Sequence, residues 1–270
     1  MNELTNLESP RLESDILLCH QMKWERHSLY LHYSTELNPE DLEAFRGLIN
    51  RRKNREPLQH IIGVAEFLGR EFISGPGAMV PRPETEILLE LFCNRLPVKP
   101  RLLLDAGTGS GILAVSLALK YPSALVIGSD ISRAALSIAA KNMIYHGVDK
   151  ALLVEADLMK PFKTGTVQFD GVIGNLPYIP SFEIDALEPE VSYGDPLIAL
   201  DGGNDGLDLV RILLEEVPFI LKKDGVLALE LTSDQVPTVA DRLSNDKRWR
   251  SVECRNDLTG RKRVVIANRT

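Results

Sequence analysis

The sequence predicts an α/β protein, a doubly wound and mostly parallel sheet behind a small all-helical module. Three observations predict it. Between Arg101 and Asn175, short apolar runs alternate with helix-length ones, the rhythm of parallel strands buried on both faces. A glycine run, Gly107-Thr108-Gly109-Ser110-Gly111, directly follows the first apolar run. Ahead of the sheet, residues 10–55 carry a helical pattern, with Leu12, Ile16, Leu17 and Met22 spaced at three to five.

The elements follow in order. Asn38-Pro39-Glu40-Asp41 opens a second helix through Leu42, Phe45 and Ile49, because proline fits a first turn whose N–H groups are unpaired in any case. Residues 67–80 mix β-formers with Gly69, Gly75, Pro76 and Gly77 and predict a hairpin or extended connector. Pro81-Arg82-Pro83-Glu84-Thr85-Glu86 opens a helix to about Arg95, with its acids at the positive end of the dipole. Strands are then expected at 102–105, 124–130, 151–155 and 169–175, with helices at 112–121 and 134–146. An irregular stretch, 179–205, precedes a helix at 207–221 and a strand at 225–231, with Lys222-Lys223-Asp224-Gly225 as the turn between them. Extended runs ending at 263–267 close the chain. The domain division is 1–65 helical, 66–80 connector and 81–270 sheet domain.

Composition narrows the function. A chain of 270 residues with 44% hydrophobic and 26% charged residues buries a full core. A net charge of −7 opposes binding a phosphate backbone by bulk electrostatics, so no direct nucleic-acid partner is expected. The basic run Arg51-Arg52-Lys53-Asn54-Arg55 reads as a solvated helix end. Cys19, Cys93 and Cys254 are widely spaced and suit neither a disulfide framework nor a zinc site, and no metal is expected. The N-terminus, with Glu3, Glu8, Arg11 and Glu13, lacks a signal peptide's basic start, and the longest apolar stretch, 112–119, is too short to cross a bilayer. The expectation is a cytoplasmic monomer without membrane contact.

The glycine run reads as a ligand loop. Alternate glycines after a strand point backbone N–H groups into a crevice and admit a ligand where a side chain would block it. Asp130, nineteen residues past Gly111, closes the next strand and can accept from two ribose hydroxyls. The spacing Gly107-x-Gly109-x-Gly111 is tighter than the Gly-x-Gly-x-x-Gly that shapes a pyrophosphate turn, which favours S-adenosylmethionine over a nicotinamide dinucleotide. Asp157, after the third strand, reads either as facing the adenine edge or as a helix cap.

A second turn, Asn175-Leu176-Pro177-Tyr178, ends a strand beside that crevice. An amide or ring amine has a delocalised lone pair, so its attack on a sulfonium methyl benefits from two acceptors gripping its N–H groups. The side-chain oxygen of Asn175 and the carbonyl of Leu176 supply them. Pro177 restricts the backbone, and Tyr178 offers a flat face. Transfer moves positive charge from sulfur to nitrogen, so alignment and a dry pocket matter more than a strong base. The two turns together read as a methyltransferase. A calcium loop at Asp201 to Gly206 is rejected because Gly203 and Ile212 stand where oxygen ligands belong. His60 and His146 read as surface or capped residues.

With these residues the chain resembles the bacterial release factor glutamine methyltransferases from about Arg55 to Val265. The resemblance is carried by Arg55-Glu56-Pro57-Leu58, Phe67-Leu68-Gly69, Val80 to Glu86, the glycine run, Asp130, the acceptor turn, Glu188-Pro189, Gly202 to Gly206 and Asp257-x-x-Gly260-Arg261. It implies a class I S-adenosylmethionine-dependent methyltransferase with a seven-stranded sheet. It also implies methylation of the glutamine amide nitrogen in the Gly-Gly-Gln loop of peptide-chain release factors, with the helical domain helping to grip the factor. By position, Gly107, Thr108, Gly109, Ser110, Gly111, Asp130, Leu158 and Asn175 would contact the cofactor, and Asn175, Leu176, Pro177 and Tyr178 would hold the glutamine. Leu176 replaces the family's first Pro of Asn-Pro-Pro-Tyr, and Leu158 stands where an aromatic residue is frequent. The Asn-Leu-Pro-Tyr form also occurs in ribosomal RNA adenine dimethyltransferases, so an adenine of RNA or DNA is the rival acceptor. A ribosomal-protein glutamine and a silent cofactor-binding scaffold are further alternatives.

Overall fold

The computed structural model describes residues 7, 9–32, 34–162, 167–192 and 194–270. Pro10 and Pro39 each stand in a first helical turn, opening α1 (Pro10–Met22) and α2 (Pro39–Lys53). Asn38 caps α2 by accepting the Asp41 N–H at 2.8 Å. With α3 (Leu58–Ile62) these helices enclose a small core of Leu17, Ile49 and Ile61, flanked by Phe45, Leu48 and Leu58. Glu3 and Glu8 lie outside the described residues.

The basic run ends α2 with Arg51, Lys53 and Asn54 exposed as expected, but Arg52 and Arg55 are not solvated charges. Arg52 is only 5% exposed and bonds Glu13 of α1, the Glu56 carbonyl at 3.2 Å, and Glu190 at 2.8 Å. Arg55 reaches the second oxygen of Glu190 at 2.6 Å. Burial opposes ionisation of Glu190, yet the Arg52 hydrogen bond, a backbone hydrogen bond and the charges of Arg52 and Arg55 together outweigh it and hold its pKa below the usual value. Glu190 belongs to the short helix α7 (Pro189–Ser192), far along the chain, so Arg52 and Arg55 tie the end of α2 to α7.

Between the domains, β1 (Val64–Phe67) and β2 (Arg70–Ile73) form an antiparallel hairpin around Leu68 and Gly69, both at positive φ as a primed two-residue turn demands. The next helix, α4 (Pro83–Arg95), begins at Pro83 rather than Pro81. Arg82 is held extended because a residue before proline is crowded out of the helical region.

The sheet domain follows the alternation read from the sequence: β3 (Leu102–Ala106), α5 (Ile112–Lys120), β4 (Leu125–Asp130), α6 (Arg133–Tyr145), β5 (Ala151–Glu155) and β6 (Phe169–Gly174). A stretch with a 3-10 turn at Ser181–Ala186, α7 and α8 (Leu197–Leu200) leads to α9 (Asp208–Glu216). The chain ends with β7 (Leu221–Glu230), α10 (Gln235–Asn245), β8 (Trp249–Asn256) and β9 (Lys262–Arg269). The seven strands run in the order β5-β4-β3-β6-β7-β9-β8, parallel as far as β7, with β9 antiparallel to both β7 and β8.

Strand side chains alternate faces, and the two apolar clusters show it. Leu104, Ile127, Leu227 and Val265 join one cluster with α9 and α10, whereas Leu103, Val126, Ala228 and Ile266 join the other with α4 and α5. Two expectations are corrected. Lys222 to Gly225 do not separate helix from strand but bulge inside β7, where Leu221 pairs Phe169 and Val226 pairs Gly171. The helix α10 was not foreseen, although Val236, Val239 and Leu243 carry its buried stripe.

Candidate active site

The strand order reverses beside β3. Two crossovers lead from β3 to β4 and β5 on one side, and the chain then returns to lay β6 on the other. Such a reversal leaves a crevice at the carboxyl ends of the strands. Both turns singled out in the sequence end there, around a cavity of about 580 Å³.

Gly107, Gly109, Asp130, Leu158, Asn175 and Pro177 line this cavity. Gly107 and Gly109 sit at φ 70° and 55°, left-handed values that a side chain resists. A Cβ on Gly107 would come within 2.9 Å of Leu176 Cδ2, so the glycine loop and the acceptor turn pack directly together. Gly109 donates its N–H to Asp130 Oδ2 at 2.9 Å, and Ser132 donates its N–H to Oδ1 at 2.8 Å. The carboxylate is thereby aimed, with lone pairs left for further donors. Leu158 forms part of the wall from a backbone at φ 49°. Asp157 also lines the cavity and pairs with Lys160.

Thr108, Ser110 and Gly111 lie behind the loop rather than among the residues lining the cavity. The buried Thr108 hydroxyl donates to Asp105 Oδ2 at 2.6 Å, the Ala114 N–H adds a bond at 3.0 Å, and burial pushes the Asp105 carboxyl up to about 7. The Ser110 carbonyl accepts from Asn142 Nδ2 at 2.9 Å, and Gly111 caps α5. These three shape the loop from inside.

A second cavity of about 200 Å³, lined by Arg82, Glu84, Tyr178 and Arg263, shares Asn175 and Leu176 with the first. Asn175 thus stands in the wall between the two. Its Nδ2 donates to Thr85 Oγ1 at 3.1 Å, while its Oδ1 is buried with no hydrogen-bond partner. A buried orphan acceptor costs roughly 1–3 kcal/mol, which marks the place where a donor is to arrive. Among the described residues, no backbone N–H donates to the Leu176 carbonyl. Leu176 itself is 4% exposed and belongs to a main cluster, so packing holds the turn where proline would stiffen it.

Sequence reasoning missed the groups behind Asn175. The Thr85 hydroxyl donates to Glu230 Oε2 at 2.8 Å, and the Tyr178 hydroxyl donates to Glu230 Oε1 at 3.2 Å. Glu230 is 2% exposed, and burial pushes its carboxyl up to about 6. Burial, followed by the charge of Glu230, raises the Tyr178 phenol. Gln235 Nε2 holds the Tyr178 carbonyl at 2.8 Å. An acid ending an apolar strand was the available signal for Glu230.

His60, read as a surface or capped residue, is buried and so not on the surface, and it shares a hydrogen bond with the Ala78 backbone; His146 packs against Phe72 at 4.5 Å between ring centres. Asp201 accepts from the Ser181 hydroxyl, and Asp205 pairs with Arg211. Among the described residues no cluster of His, Cys, Asp or Glu is arranged to hold a metal, and no helix is long and apolar enough to cross a membrane. The three cysteines are free.

This sheet order, a nucleoside-sized cavity at the reversal and an Asn-Leu-Pro-Tyr turn beside it define a class I methyltransferase. Solved structures share the fold. The ribosomal protein L11 methylase of Lactobacillus delbrueckii subsp. bulgaricus matches at TM-score 0.52 and 20% identity, covering 70% of this chain and 80% of that one. The T. thermophilus 16S rRNA N2 G1207 methyltransferase matches at TM-score 0.54 and 20% identity, covering 77% and 50%. The family model of the PrmC N-terminal domain matches residues 2–63, and that of ribosomal protein L11 methyltransferase (PrmA) matches residues 83–180. The release factor glutamine methyltransferase of Geobacter sulfurreducens is 41% identical over 238 residues, 88% of this chain and 82% of its own. That of Deinococcus radiodurans is 39% identical over 263 residues, 97% of this chain and 92% of its own. The chain belongs to the release factor glutamine methyltransferase family.

Proposed function

We propose that this protein methylates the side-chain amide nitrogen of the glutamine in the Gly-Gly-Gln loop of peptide-chain release factors, using S-adenosylmethionine, as a cytoplasmic monomer. The observation that carries the reading is the partnerless, buried Oδ1 of Asn175 in the wall between the two cavities. An acceptor placed there suits an arriving N–H.

The larger cavity fits the cofactor. Asp130 would offer its remaining lone pairs to the ribose hydroxyls, Gly109 would allow close approach, and Leu158 with Ala156 would give the adenine an apolar wall. When bound, S-adenosylmethionine supplies an electrophilic methyl on sulfur. The chain supplies alignment. Asn175 Oδ1 and the Leu176 carbonyl would accept the two amide N–H groups and draw the nitrogen toward pyramidal geometry. Tyr178, with its hydroxyl tied back to Glu230, presents its ring to the flat carboxamide. On transfer the nitrogen would form its bond to the methyl as the sulfur–methyl bond breaks, the electron pair staying on sulfur, and one N–H proton would pass to solvent. The net charge of −7 disfavours the RNA or DNA alternative.

Incubation with labelled cofactor, release factor and ribosomal RNA, followed by peptide mass spectrometry, tests this. One methyl on the loop glutamine is expected. Label entering the RNA, or tight release factor association without turnover, would overturn the assignment.

A further inference from the structure

We propose that Glu230 and Thr85 are positioning residues: a one-way hydrogen-bond relay from Glu230 through Thr85 turns the Asn175 amide so that its oxygen, not its nitrogen, meets the acceptor. This rests on the function proposed above and names the groups that set its geometry.

The direction of each bond follows from what each group can donate. A carboxylate accepts only, so Thr85 spends its single O–H on Glu230 Oε2 at 2.8 Å, and Tyr178 spends its own on Oε1 at 3.2 Å. Thr85 Oγ1 is then left with lone pairs alone. Facing it at 3.1 Å, Asn175 has to offer an Nδ2–H, and its Oδ1 is turned away with no partner. Thr85 is 1% exposed and Glu230 is 2% exposed, so water does not compete along the chain. The segment Pro81 to Glu86 therefore serves the site as well as opening a helix, since it carries Thr85 to the far side of the acceptor turn.

Protonation would reverse the relay. A neutral Glu230 has an O–H of its own to give to Thr85, which releases the Thr85 hydroxyl to donate to Asn175. The Asn175 NH2 would then face the substrate's N–H groups, donor against donor. The groups facing Glu230 are Thr85 and Glu84 from α4, Tyr178 from the acceptor turn and Arg263 from β9. Burial and Glu84 favour the neutral form, whereas Thr85, Tyr178 and Arg263 favour the charged one, and the balance lies at about 6. Turnover is therefore present above that value and lost as pH falls through it.

The test measures kcat and KM with intact release factor from about pH 5 to about pH 8, with S-adenosylhomocysteine affinity and melting temperature alongside. Glu230→Gln and Thr85→Val are expected to lower kcat about 10- to 100-fold, with KM and cofactor-product affinity within about threefold. Thr85→Ser keeps the hydroxyl and is expected to recover most of the rate. The acid limb near 6 is expected in the wild type and absent in Glu230→Gln. Should Glu230→Gln fail to fold, the Thr85 pair carries the test. Unchanged kcat in Thr85→Val, or Thr85→Ser as impaired as Thr85→Val, would overturn the relay while an active wild type leaves the function standing. A wild type without methyl transfer would overturn both.

Discussion

The proposed cofactor side of the crevice is set by local backbone, and the proposed acceptor side is set by side chains that meet across the fold. Gly107, Gly109 and Asp130 fall within one strand-helix-strand unit, and the Asp130 carboxylate is aimed by two main-chain N–H groups. Asn175 instead depends on Thr85, ninety residues away, which depends in turn on Glu230, a further 145 residues along. A backbone-built surface is kept by any sequence that keeps its turns. A relay of side chains fails when any single member changes its donors. The difference predicts that, on the proposed reading, binding the cofactor and orienting the acceptor are separable.

The strongest way to test that separation is Asn175→Ala. It removes the oriented acceptor and is expected to lower kcat by about 10³-fold while S-adenosylhomocysteine affinity, measured by calorimetry, stays within about threefold. A parallel loss of affinity would show that the two halves act as one. Next in size, Asp130→Ala is expected to weaken cofactor-product binding by roughly 1.5–3 kcal/mol, because a charge-assisted ribose bond and the aim of the Gly109 loop go together. Equal affinity in the variant would remove Asp130 from the binding surface. The smallest effect belongs to Leu176→Pro. The ring stiffens the turn but empties a packed position beside Gly107, so a stability loss of about 1–2 kcal/mol is expected in denaturant melts, with kcat within about threefold. A large drop in kcat would mean that the leucine itself shapes the acceptor side.

The same contrast decides what the sequence could disclose. Glycines after an apolar strand, an aspartate closing the next strand and an asparagine before proline are local requirements, and each was readable where it stands. Thr108, Ser110 and Gly111 belong to the readable string, but which way a loop residue faces depends on what packs behind it, here Asp105, Asn142 and α6. Thr85 and Glu230 were invisible as partners because only the pairing of β6 with β7, and the seating of α4 against β7, brings them to Asn175. Arg52 was taken for a solvated charge for the same reason, since its carboxylate partners lie 39 and 138 residues away. The α10 stripe is present but carries Pro237 in its first turn and is interrupted by polar residues, which weakens its period. The identity of the protein acceptor came from the family resemblance, not from spacing or charge.

The guanidinium clasp on Glu190 gives the helical domain a second meaning. Glu190 sits in α7, and that helix with the chain leaving it supplies Val191, Leu197 and Ala199 to the walls of the two chambers. Cutting the polypeptide after α3 would strip both cations from that carboxylate and loosen the floor on which the reactants lie. The amino-terminal quarter of the molecule is thus masonry for the reaction vessel, and a sheet domain expressed by itself would be a leaking one.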